Sequence, residues 1–240
     1  MTISATYQQM QQAIADELGD RTDLLTTLGD ESALTPSPIQ NAIQSAIAMW
    51  EREPFYFNEV YSSNLFNTVK AQEFYTSSDA ALVSSSPNLM KLHVLISGNR
   101  YPLKSRTWDY FEDTSVNPSV TGQPTDYAYM AEQLRFYPIP DGAYPVTVSA
   151  TNRITNLSAN ADSNVWTQDA YDLIRSQAKL ILAEEVLFDD DLATRMERAI
   201  YGKSSAGGSF GRIPERRGYL YALKAETTRR RRSRISPSYF

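Results

Sequence analysis

Apolar residues recur at helical spacing near both ends of this chain and at strand spacing in between, so helices supplied by the two ends must find each other across a β-rich middle. Tyr7, Met10, Ile14 and Leu18 mark a first helix that ends at Gly19. Asp20–Leu34 is polar, with a short helical turn expected at Leu24, Leu25 and Leu28. Ser37 and Pro38 then stand at the N-cap and first-turn positions of a second helix. Ile39, Ile43, Ile47 and Trp50 share one of its faces, and Pro54 stops it.

From Phe55 onward the texture is tyrosine, phenylalanine, valine, serine and threonine, broken by Asn, Gly and Pro. Period-two alternation over Phe55–Tyr61, Val69–Tyr75, Leu89–Ile96 and Tyr127–Met130 predicts half-buried strands. The clearest hairpin expected joins Leu134–Tyr137 to Tyr144–Val148 through Pro138–Gly142. Trp108–Phe111 reads as a short helix inside this region, and Thr151–Asn164 as a polar connection.

Helix returns at Val165, with Thr167 able to cap it and Tyr171, Ile174, Ala178, Ile181 and Leu182 on its buried side. Another helix follows Asp189-Asp190-Asp191, using Leu192, Met196, Ala199 and Ile200. Its acidic start and its later Arg195 and Arg198 suit the helix dipole. Gly202–Gly211 reads as a flexible loop, and Pro214 as the opening of a last helix through Leu220 and Leu223. The expected fold class is α+β: a discontinuous helical bundle built from residues 1–54 and 165–232, a β-rich antiparallel insertion over 55–164, and a tail over 233–240.

Composition excludes several chemistries. The 240 residues contain no cysteine, which removes disulfides, thiolate catalysis and Cys-based metal sites. A single histidine removes multi-His metal centres. No apolar run approaches the ~18 residues of a membrane span. Met1–Ala5 lacks the basic and apolar regions of a secretory signal, so none is expected.

The motifs that could carry chemistry each have a plainer explanation. His93, on one strand face with Lys91 and Leu95, has no nucleophile or orienting acid indicated beside it and reads as structural. Asp189–Asp191, with Glu184 and Glu185 nearby, lacks calcium-loop spacing and reads as an acidic helix start. Gly202-Lys203-Ser204 follows a helix rather than a strand, so its amides have no reason to converge on a phosphate; a linker is expected. The fifteen tyrosines and nine phenylalanines suit sheet packing and assembly interfaces alike. Neither a cofactor nor a metal nor a catalytic residue is expected.

Charge is the exception. Lys203–Phe240 holds ten Lys+Arg against two Asp+Glu, a balance of +8, while the remainder holds thirteen basic against twenty-six acidic residues, a balance of −13. Arg229–Arg234 places five arginines in six positions, more than a helix end needs. Such a run grips either an acidic protein surface or phosphates. The acidic body favours the protein, because it repels a duplex within a Debye length of ~8–10 Å.

The N-terminal helix pair, the segment Arg135-Phe136-Tyr137-Pro138-Ile139-Pro140-Asp141-Gly142, and the terminal helices with their arginine-rich tail together resemble the head–tail connector (adaptor, or head-completion) proteins of tailed bacteriophages. That resemblance implies a helical bundle with a β insertion and copies arranged as a ring, usually dodecameric, under the portal protein at the capsid vertex. It also implies a next neck or tail protein as partner, a virion location at the neck, and host cytoplasm during assembly. The segment from Pro214 to Phe240 would face the portal, with Arg229, Arg230, Arg231, Arg232, Arg234, Ile235, Tyr239 and Phe240 as its contact residues. An enzyme is not implied, and weak contact with channel DNA is compatible. Two other readings stand beside it: a DNA-binding protein using the basic tail, and a hydrolase using paired carboxylates, for which no pair stands out among the 28 acids.

Overall fold

A computed structural model describes residues 5–25, 36–86, 88–113, 119–203 and 216–233. In chain order the first elements are α1 (Tyr7–Glu17), α2 (Pro38–Trp50), β1 (Glu59–Asn67), β2 (Phe74–Tyr75), α3 (Leu82–Ser85), β3 (Asn88–Ile96) and β4 (Asn99–Pro102). There follow β5 (Lys104–Ser105), α4 (Trp108–Glu112), β6 (Thr121–Gly122), β7 (Asp126–Met130), β8 (Gln133–Tyr137), β9 (Ile139–Pro140) and β10 (Pro145–Thr151). The chain closes with α5 (Val165–Gln168), α6 (Tyr171–Leu182), α7 (Asp190–Tyr201), β11 (Gly202–Lys203), β12 (Arg216–Arg217) and α8 (Tyr219–Ser233). The fold is α+β. Its described residues form two compact units, one drawn from 1–50, 55–57 and 154–240, the other from 51–54 and 58–153.

The first unit is helical, and its helices begin where local chemistry satisfies their free amides. The Thr6 hydroxyl accepts from Gln9 N while the Gln9 side chain accepts from Thr6 N, at 3.2 and 2.9 Å. Ser37 and Gln40 repeat this exchange at the start of α2. The buried stripes are Tyr7, Met10 and Ile14 on α1, Ile39, Ile43, Ile47 and Trp50 on α2, and Tyr171, Ile174, Ala178 and Leu182 on α6. Glu17 accepts from Arg175 at 2.5 Å and from Lys179, joining α1 to α6. Leu24, in the 3-10 turn Thr22–Leu24, is buried, whereas Leu28 lies outside the described residues.

Three local readings are corrected here. Phe55 and Phe57, expected in a strand, belong to the helical core. Their rings lie 6.2 and 5.0 Å from that of fully buried Trp166, edge to face, because large aromatic area gains more in that core than in an exposed strand end. The helix at Val165 is capped by Asn164, which accepts from Trp166 N, while the Thr167 hydroxyl accepts from Asn164 N. The last helix begins at Tyr219. Arg216 and Arg217 are engaged in the two-residue ladder with Lys203 and Gly202, and Pro214 lies outside the described residues.

In the second unit a four-stranded antiparallel sheet has the order β1-β10-β3-β4. The other, β2-β8-β7-β5, is antiparallel except where β5 runs parallel to β7. Phe66, Leu92, Val94, Val146 and Val148 of the first sheet share a core with Tyr75, Tyr127, Leu134 and Phe136 of the second. The two ends of its long segment are held together: Glu59 opposes Thr151 across β1 and β10, and Asn152 N donates to Asn58 O.

The expected Leu134–Val148 hairpin does not form; β8 pairs with β7 and β2, and β10 with β1 and β3. Pro138 and Pro140 supply no amide to a ladder, and Ile139 instead bonds towards β6. The true hairpins turn at Ser97-Gly98 and Ala131-Glu132, all four residues at positive φ.

Gly218 lies where α7 and α8 meet. An added Cβ would stand 2.2 Å from Ile200 O and 2.4 Å from Gly202 N, both backbone atoms that cannot swing aside. Gly218→Ala is expected to cost about 1–3 kcal/mol, read as a lower midpoint in urea unfolding. Gly142→Ala, whose Cβ would meet only the Tyr144 ring at 4.0 Å, is the control and stays within about 0.5 kcal/mol of the parent.

Candidate interaction surfaces

Helix α8 carries most of the arginine run, and its inner side is set by burial rather than charge. Leu220 and Leu223 pack against the helical core, and Thr227, only 3% exposed, accepts from Tyr56 N at 3.1 Å while donating to Leu223 O at 2.9 Å. Glu226 accepts from Arg229 at 2.8 and 2.9 Å and from Arg230 at 2.7 Å. Those two arginines hold the Glu226 carboxyl down at a pKa of about 2, Arg229 contributing most. Exposed pairs of this kind add little to stability, so the buried Thr227 bonds and the leucines position the helix.

The Arg230 guanidinium lies 3.8 Å from the centroid of the Tyr56 ring, in cation–π contact. Burial first, and a hydrogen bond to Asp169 second, push the Tyr56 hydroxyl up to about 12. Of the residues expected to contact a partner, Arg229 and Arg230 are therefore engaged within their own unit. Arg231 and Arg232 continue the helix backbone to Ser233, while Arg234, Ile235, Tyr239 and Phe240 lie outside the described residues.

The other motifs fall apart from one another. His93 is half-buried on β3, opposite Thr147 and Pro102, and its carbonyl accepts from the Thr147 hydroxyl at 3.3 Å. Asp189 caps α7 through Leu192 N at 2.9 Å. Gly202 and Lys203 are strand residues of the small ladder, and Ser204–Ser209 lie outside the described residues. Among the described residues no three His, Asp or Glu side chains gather as a metal site requires, and no helix is long and apolar enough to cross a membrane.

Two surfaces escaped sequence reasoning. After α6 the helix widens into a π turn over Ala183–Leu187, and Phe188 then adopts a left-handed conformation, φ 53°, with 81% of its area in solvent. Val186 is exposed two residues before it, and the exposed acids Glu184, Glu185, Asp190 and Asp191 flank the pair in sequence. An apolar residue next to three aspartates was the only available hint, since a left-handed phenylalanine has no sequence signature. The second surface is the outer face of the β1-β10-β3-β4 sheet, where register places Tyr61, Lys91, His93, Leu95 and Arg100 together. Arg100 lies 5.6 Å from the Tyr61 ring centroid, so the two edge strands meet over this face.

The described residues thus combine an α+β fold with an exposed phenylalanine corner and an arginine-rich terminal helix. The family model described as SU10 adaptor protein matches residues 5–232, and the chain belongs to the SU10 adaptor protein family. It is thus a bacteriophage structural adaptor, a virion component that contacts other head or tail proteins. Comparison with curated proteins finds no match.

The raised Tyr56 value implies a pH response. The fold favours the neutral phenol, so its contribution is complete below the ordinary value of 10.0 and is lost as pH climbs through about 12. In absorbance titration, with Tyr56→Phe identifying the signal, Asp169→Asn is expected to lower the Tyr56 midpoint while leaving it above 10.0, because burial is the larger cause.

Proposed function

We propose that this adaptor joins the portal protein to the next neck or tail protein, as a ring of copies, dodecameric in the reading favoured here, that continues the DNA channel. The chain contributes no catalytic group to this task; its work is contact. Residues from Arg231 to Phe240 form the portal-facing extension, and Arg229 and Arg230 fasten the base of that extension to its own unit through Glu226 and Tyr56. The observation that carries the reading is the segregation of charge: +8 in the last 38 residues against −13 in the rest. A basic terminus on an acidic body attaches to an acidic protein while the body repels other acidic surfaces and duplex DNA.

Heterologous contacts between neighbouring copies close into a ring. Free in solution the protein is a monomer or loose oligomer, and the ring completes on the portal.

The test is deletion of residues 231–240, which removes the extension and retains the buried Thr227 bonds. The shortened protein is expected to keep its circular dichroism and melting temperature, and particles made with it are expected to be DNA-filled heads without tails. Tailed particles carrying the shortened protein in normal amount would overturn the assignment. The basic run also favours a second reading, DNA binding by the tail. That reading requires duplex affinity falling steeply with salt and vanishing in the same deletion.

A further inference from the structure

We infer that the Val186–Phe188 corner of one copy docks on the outer face of the β1-β10-β3-β4 sheet of a second copy, an inference that rests on the ring reading above.

Phe188 is the starting point. It ends the helix in a left-handed conformation, its N–H bonded to Ala183 O, and leaves its side chain 81% in solvent. Exposed aromatics held on a helix corner are what interfaces use as anchors. Among the described residues Glu184, Glu185, Asp190 and Asp191 form no ion pair, so the anchor is framed by uncompensated negative charge.

The sheet face has the opposite character. Its inner side is covered by the unit's own core; on its outer side Thr147 and Thr151 are buried and Glu59 is half-buried, while Tyr61, Lys91 and Arg100 are exposed around half-buried Leu95. Lys91 and Arg100 have no carboxylate partner among the described residues; Arg100 rests only on Tyr61. A surface of this make-up takes an acidic partner with an aromatic tip. Phe188 can stack on the Arg100–Tyr61 pair, and the surrounding carboxylates can meet Lys91 and Arg100.

The same chain supplies both halves, and they are different patches. Contact between them is therefore head-to-tail, leaves one patch of each kind free on the growing chain, and ends in a ring where the rotation between copies closes. Exposed charge pairs bind weakly one at a time, which suits copies that gather only when a portal holds them side by side.

The test is a charge exchange in the full-length protein. One variant carries Glu184→Lys, Glu185→Lys, Asp190→Asn and Asp191→Asn, the other Lys91→Glu and Arg100→Glu; all six positions are exposed, and each variant is expected to melt within a few degrees of the parent. Each is added to DNA-filled heads from particles made without this protein, and the bound copies per head are counted by quantitative mass spectrometry. Either variant alone sets like charges face to face and is expected to bind ~10-fold fewer copies than the parent. An equimolar mixture restores opposite charge at every contact, so copies per head return to the parent value with the two variants in equal amounts. Parent-like binding by either variant alone, or a mixture no better than its components, overturns this interface. A parent protein that binds as a single copy per head overturns the ring itself, an outcome the parent-only measurement distinguishes.

Discussion

The burial of Trp166 against Phe55 and Phe57 is the contact on which the helical unit depends. It joins a segment just after α2 to one just before α6, more than a hundred residues apart, and truncating a core aromatic of this size typically costs ~3–5 kcal/mol. Loop-closure entropy grows only slowly with length, so a long insertion between two packing helices is tolerated when its ends are held together. Within the β unit, Glu59 opposite Thr151 and Asn152 bonded to Asn58 do that holding.

Charge operates at a second level. The ion pairs of Glu226 and the cation–π contact of Arg230 lie at the surface, where such interactions are weak, whereas Thr227 and the leucines of α8 lie inside. Burial decides where the helix lies, and two of its arginines, Arg229 and Arg230, are engaged by Glu226 of the same helix.

The helices were largely legible in the sequence because their signals are local. Ser37 before Pro38, the stripe Ile39–Ile43–Ile47–Trp50 and the acidic start of α7 all act within a few residues, and each appears as read. The strands were legible only in part: Leu89–Ile96 and Tyr127–Met130 are strands, as their alternation indicates, whereas only Phe74–Tyr75 of Val69–Tyr75 and only Glu59–Tyr61 of Phe55–Tyr61 are. Pairing was not legible, since Leu134–Tyr137 and Pro145–Val148 lie in separate sheets although the turn-forming run Pro138–Gly142 lies between them. Pairing depends on which amides are free, and the two prolines altered that.

The sequence by itself determined the α+β class, the stretches that hold most of the main helices, the cap of α2, the absence of cysteine chemistry and the segregation of charge, because each follows from residue identity and short-range spacing. Only the tertiary structure decided that Phe55 and Phe57 leave the β region for the Trp166 core, that Arg230 rests on Tyr56, and that Phe188 stands in solvent beside four unpaired acids. These outcomes depend on what lies across space rather than along the chain. A phenylalanine in a core and a phenylalanine on a corner have the same local pattern, and only the neighbours that burial brings or withholds tell them apart.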